Sequence, residues 1–265
     1  MLRGVPQLDL RNNLEHGSKE YNKLVVNICL LASRILIENG SEMSRVTDTI
    51  NHIAKNADVK DLRSYVTITG IMLSVGGVDA QIMEVNKRAY DLRKIAAVNY
   101  YSRQFAEGKI SITHFYYLLS KIDNLVTYFP FWMKMVAAAL LSGAIEIVFQ
   151  GNFVVALQTS IIGMLGWTLF VLLNKIIKVE FVNEFTSAVV IGVLALLTVK
   201  LGLGNSADDI IIGAVMPLVP GVQITNAVRD LMSGNLISGP ARGIEAIIGA
   251  CALGFGVALS LNWFG

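Results

Sequence analysis

The stretch IIIGAVMPLVPGVQITNAVRDLMSGN, residues 210–235, holds residue types that can bind an anion inside a membrane. An apolar run stops at Pro217 and Pro220, and an amphipathic segment with Thr225, Asn226 and Asp230 follows. Proline removes an amide donor and disfavours helical geometry at the residue before it, while Gly221 accepts backbone angles that other residues resist. A helix entering from Ile210 therefore breaks between Pro217 and Gly221. A half-helix restarting there directs its first amides and the positive end of its dipole at a carboxylate, with Thr225 and Asn226 as polar contacts. The same residues also read as a proline kink repaired by neighbouring helices, and the local chemistry allows both.

Other groups stand out by type and place. Glu146 lies in the outer third of an apolar run, where a carboxylate costs about 2.5–3.5 kcal/mol at the helix centre and less near the interface. It reads either as a proton-relay carboxylate or as a side chain snorkelling to the outer surface. Arg242 and Glu245, three apart at the start of the last apolar run, share a helix face and suit a structural pair. Arg45, in ENGSEMSRVTDTI, is a charge near a helix start, solvated or functional. Cys29 and Cys251 sit in apolar helical contexts and read as small buried hydrophobes. His16, His52 and His114 have no partner at ligand spacing, so neither a metal site nor a disulfide is expected. P-loop, dinucleotide turn and nucleophile elbow are all missing from the sequence, which points away from enzyme chemistry and from a cofactor.

The elements that position these residues fall into two halves. Of 265 residues, 54% are hydrophobic and only 16% charged, the composition of a membrane protein. Sixteen of the 22 Lys and Arg precede Pro130, as do 13 of the 20 Asp and Glu. Residues 1–128 thus form a candidate cytoplasmic α+β domain and residues 129–265 a helical membrane domain. The opening MLRGVPQLDLRNNLEHGSKEYNK lacks the apolar core of a secretory signal. From Tyr21 to Asn56 the apolar residues recur at helical spacing, interrupted at Gly40, with Ser41 as the expected N-cap of a second helix. YVTITGIMLSV reads as a strand, and Gly76 and Gly77 separate it from a hairpin partner. Asp91 and Ser111 each cap a further helix.

In the membrane half, residues 131–149, 153–173, 185–203 and 244–263 each approach the ~20 apolar residues a span requires. Tyr128, Phe129 and Trp132 anchor the first. The broken segment makes a fifth. With the N-terminus inside, Lys175, Lys178, Arg229 and Arg242 lie near cytoplasmic loops and Lys200 near an outer one, which follows the positive-inside rule and puts the C-terminus outside. The formal charge of +2 leaves no footprint for nucleic acid.

GSEMSRVTDTI, VTITGIMLSV and above all MPLVPGVQITNAVRDLMSGNLISGPARGIEA resemble the N-terminal part of the bacterial threonine/serine exporter family, from about residue 22 to 265. The resemblance implies a multi-pass protein of the bacterial plasma membrane that exports threonine and serine or, in split two-component forms, dicarboxylates such as succinate. Ending after its fifth span, the chain resembles the large component of a split pair, which implies a separate small membrane subunit. The positions that match the family pattern are Arg45, Pro217, Pro220, Gly221, Asn226, Asp230, Arg242 and Glu245. The expected partners are a small amino acid or carboxylate, that subunit and the lipid bilayer, with room for a homo-oligomer. The alternative is a membrane-anchored metabolite-sensing or regulatory protein.

Overall fold

The structure, a computed structural model, describes residues 17–76, 80–86, 89–125, 129–151, 153–179, 181–204 and 206–264. The chain opening with His16, Gly77 of the hairpin turn, and Tyr128 of the aromatic anchor with the linker around it lie outside the described residues. Two compact units form, and they cut across the linear order: the described residues of 1–126 join Thr225–Arg242 in one, and those of 127–224 join 243–264 in the other.

In the first unit, α1 (Lys19–Glu38) begins at Ser18, whose hydroxyl accepts from the Tyr21 amide at 3.1 Å. Its middle is buried on every side, from Leu24 and Val25 through Ser33, rather than along one stripe. A helix apolar all round belongs at the centre of a core, and α2, α3, α4 and the sheet surround this one. α1 ends where Gly40 takes φ +89° and the Ser41 amide donates back to the Leu36 carbonyl at 2.9 Å. A Cβ at Gly40 would lie 2.7 Å from the Tyr90 ring, so the turn requires glycine twice over.

α2 (Met43–Asn56) starts one residue later than the sequence suggested. Glu42, not Ser41, occupies the N-cap position, and its side chain makes no capping bond. The run read as one strand folds back on itself: β1 (Arg63–Val66), β2 (Gly70–Ser74) and β3 (Gln81–Glu84) make an antiparallel meander in the order β1-β2-β3. Thr67 closes its first turn, its amide donating to the Gly70 carbonyl at 2.8 Å and its hydroxyl accepting from the Gly70 amide at 3.1 Å. Ile71 and Leu73 of β2 enter the core while Met72 faces out, the alternation of a half-buried sheet. Asp91 and Ser111 cap α3 (Leu92–Ala106) and α4 (Ile112–Asn124), as expected.

The second unit is built from apolar helices: α5 (Phe131–Gln150), α6 (Phe153–Ile176), α7 (Val182–Lys200), α8 (Ala207–Val215) and most of α10 (Ser238–Phe264). α5, α6, α7 and α10 are each long and apolar enough to cross a membrane. α8 runs into a short 3-10 turn, Met216–Leu218, and α9 (Gly221–Met232) restarts after Pro220, the two pieces bent by 64°. Counting that pair as one gives five candidate spans. Small residues form the seams: Gly163 lies against Ser142, Gly166 against Ile191, and Gly192 against Ser260, leaving no room for a side chain. Large apolar side chains such as Leu140, Val148, Leu157, Ile247 and Phe255 point outward, as a lipid-facing surface requires.

Candidate functional site

Two clusters collect half of the residues singled out in the sequence. In the first unit, Asn226 and Asp230 lie four apart on one face of α9 and meet the turn between α1 and α2. The Asn226 side-chain amide donates to the Gly40 carbonyl at 2.8 Å. The Met43 amide, the first of α2, donates to Asp230 Oδ1 at 2.7 Å. From the start of α10, Arg242 Nη2 donates to the Ser41 carbonyl at 2.8 Å, and its Nε lies 3.6 Å from Asp230 Oδ2. Asp230 is 0% and Arg242 8% exposed, so this is a buried ion pair that also satisfies backbone groups.

The arrangement explains why α2 does without a cap of its own. Its N-terminus exposes orphan amides and a positive dipole end, and Asp230, 187 residues further along the chain, supplies the carboxylate that a local Ser or Asp ordinarily would. Glu42 turns outward between Arg45 at 3.3 Å and Arg229 at 3.4 Å. Both arginines are largely exposed, so those contacts stabilise by at most about 1 kcal/mol. Arg45 thus sits as a solvated charge at the rim of the cluster, and Arg242 has Asp230 as a partner, a pairing that the spacing to Glu245 did not announce.

The break itself is local. Val219 is extended at φ −65° and ψ 130°, and the Gly221 amide donates to the Val219 carbonyl at 2.8 Å. Pro217 lies in the 3-10 turn before it. Thr225 is exposed while Asn226, its neighbour, is turned to Gly40, so the two do not converge on one point. Glu245 is half-buried one turn beyond Arg242.

The second cluster lies in the apolar unit. Glu146 does not snorkel: it is 2% exposed and faces inward on α5. Ser142, one turn earlier on the same helix, and Thr159 of α6 are fully buried with it. Gly213 of α8 closes the group, since a Cβ there would lie 3.1 Å from the Ser142 carbonyl and 3.4 Å from Glu146 Oε2 and would press on the Thr159 methyl. Glu146 Oε1, Ser142 Oγ and Thr159 Oγ1 have no hydrogen-bond partner among the described residues. Sequence reading found Glu146 but missed Ser142, Thr159 and Gly213. The signals were faint, a serine four residues before the glutamate and a glycine four residues before Pro217. No grouping of His, Cys, Asp and Glu among the described residues could hold a metal ion.

Both clusters lie within a region of recognisable kinship. Residues 27–263 match the family described as "Putative threonine/serine exporter". A "Probable threonine/serine exporter" of Mycobacterium tuberculosis (strain ATCC 25618 / H37Rv) is 19% identical over 253 residues, which cover 91% of this chain and 46% of that protein. The chain spans about half the length of the curated relative it matches. No solved structure matches it. The match runs through the α1–α2 turn, the buried glutamate, the break and the Asp230–Arg242 pair alike, and the chain belongs to the threonine/serine exporter family.

Proposed function

We propose that the chain is the larger part of a secondary exporter of small amino acids or carboxylates, with threonine, serine and succinate-like dicarboxylates as the substrates to test. The observation that carries this reading is the helix broken between Leu218 and Gly221 in a chain of this family, because interrupted helices bring irregular backbone to membrane depth where a polar solute binds. In this reading the break, with Thr225 on its exposed side, faces the substrate. Asn226, Asp230 and Arg242 hold the other end of α9 to the α1–α2 turn, so a displacement of that turn is carried along α9 to the break. The α+β unit lies on the cytoplasmic side and the C-terminus outside, and a separate small membrane subunit completes the pathway.

The test is efflux of labelled threonine, serine or succinate from vesicles containing the chain, with and without a co-expressed small membrane protein as candidate partner. Flux that requires both supports the whole reading. Full flux from the purified chain alone removes the partner, and no flux of any of the three removes the exporter. A metabolite-sensing role is the second reading, favoured by a cavity of about 340 Å³ in the first unit lined by Thr47, Ser64, Tyr65, Thr67, Asn235 and Ser238. Binding of the same solutes to the chain without any flux would move the assignment there.

A further inference from the structure

The group formed by Ser142, Glu146 and Thr159 is not used by the break or by the Asp230–Arg242 pair. Its carboxylate is enclosed in an apolar unit, and neither Lys nor Arg among the described residues pairs with it. The elements packed against α5 are α6, α8 and the 3-10 turn after α8. The charged residues on them are Lys175, about 24 Å along α6 from Thr159 at 1.5 Å per residue, and Asp208 and Asp209 in the first turn of α8. Asp209 accepts from Gln150 Nε2 at 2.7 Å, and the 3-10 turn carries no charge. The nearby fixed charges are therefore negative. A buried carboxylate without a countercharge is too costly to persist, so the site requires a positive charge that this chain's described residues do not supply.

The ligand has to be small. Gly213 packs so closely on this side of the carboxyl that it admits no added carbon, and the smallest cation, a proton, needs no further room. The neighbours are hydroxyls, each able both to donate and to accept. A neutral carboxyl needs an acceptor for its O–H and a carboxylate needs donors, and Ser142 and Thr159 can serve either form without moving the backbone. We infer that Glu146 is the residue at which the membrane unit takes up and releases a proton, the coupling ion of transport. On release, the carboxyl O–H bond breaks heterolytically, the proton leaves to water and the electron pair stays on the carboxylate. Gly213 lies four residues, one helical turn, before Pro217, so the charge on Glu146 acts directly on the helix that leads into the break. The transport part of this inference rests on the exporter reading, while the proton site does not.

Infrared difference spectra of the full chain in lipid vesicles, taken between acid and alkaline pH, read the site without any transport. A carboxylic acid C=O band that grows on acidification, vanishes in Glu146→Gln and returns shifted in Glu146→Asp is the expected result, with thermal melting confirming that both variants are folded. If no titrating band distinguishes Glu146→Gln from the wild type, the inference is wrong. Loss of the band on adding Na⁺ at constant pH would assign the site to a metal cation and overturn it equally. In transport, Glu146→Gln should flatten the pH profile of substrate exchange whatever its level, and a variant that keeps the wild-type profile contradicts a coupling role. A titrating Glu146 band in vesicles that move no substrate supports the proton site and counts against the exporter reading alone.

Discussion

At the level of single residues, the Asp230 carboxylate does three things at once: it caps α2 through the Met43 amide, balances Arg242 and does both in full burial. Removing one partner of a buried pair leaves the other charge without compensation, so Asp230→Ala should destabilise the first unit by about 3 kcal/mol or more in chemical unfolding. Asp230→Asn retains an acceptor for the Met43 amide and should lose less. Asp230→Ala with Arg242→Ala should cost less than the sum of the two, and strict additivity would mean that the pair does not interact. Cys29 gives a second handle at this scale, because burial pushes its thiol up from 9.0 to about 12. The folded protein keeps that proton where the unfolded chain releases it, so Cys29 subtracts stability as pH rises through the window from 9.0 to about 12, by at most about 1.4 kcal/mol per pH unit. Cys29→Ala should remove that part of the alkaline loss, and an unchanged pH slope of unfolding would show that the thiol is not so buried. Asn226, Asp230 and Arg242 were legible as motif residues, but their partners are the Gly40 and Ser41 carbonyls and the Met43 amide. Backbone groups have no residue type to read, and they lie about 190 residues away in sequence.

Among the elements, the spans were legible because each needs some 20 apolar residues in a row, and few other structures ask for that. The break was legible for the opposite reason, since Pro217, Pro220 and Gly221 each disfavour a continuous helix. The first turn of the meander was hidden, because Thr67, Ile68 and Thr69 are themselves β-formers and only Gly70 punctuates them. The late start of α2 was hidden as well, since its cap comes from α9. The break can be tested by replacing Pro220 and Gly221 together with alanine. An added Cβ at Gly221 meets no atom within 4 Å, so the variant fits sterically. Alanine for glycine inside a helix stabilises by about 0.8–1 kcal/mol, which should keep or raise the melting temperature and the helical signal. Substrate affinity should fall. Unchanged export affinity in a variant with more helix would reduce the break to a packing kink. Asn226→Ala should act differently, lowering stability by about 1 kcal/mol through the lost bond to Gly40 rather than through a substrate contact.

For the whole molecule, topology follows from parity. Thr225–Arg242 belongs to the same compact unit as the described residues before 126, so both are expected on one side of the membrane. Between them run α5, α6 and α7, three helices that can each cross and would leave the chain on the far side. The parity then predicts that the α8–α9 pair crosses as well and brings the chain back. On this count the bent pair is expected to be a span rather than a re-entrant loop, with α10 carrying the C-terminus to the opposite face. Single cysteines in a background with Cys251 replaced by alanine read this out, as native Cys29 is buried and keeps its proton, so it should not label. Lys60→Cys and Ser233→Cys, both on exposed positions, should react with a membrane-impermeant maleimide from the same face, and Leu203→Cys, between α7 and α8, from the other. The basic excess before Pro130 predicts that the first face is the cytoplasmic one, so Lys60→Cys and Ser233→Cys should label in inside-out vesicles and Leu203→Cys in intact cells. Labelling of Lys60→Cys and Ser233→Cys from opposite faces would break the parity, and with it the claim that α9 and the α1–α2 turn belong to one unit. Labelling of both from outside would keep the unit and invert the proposed topology.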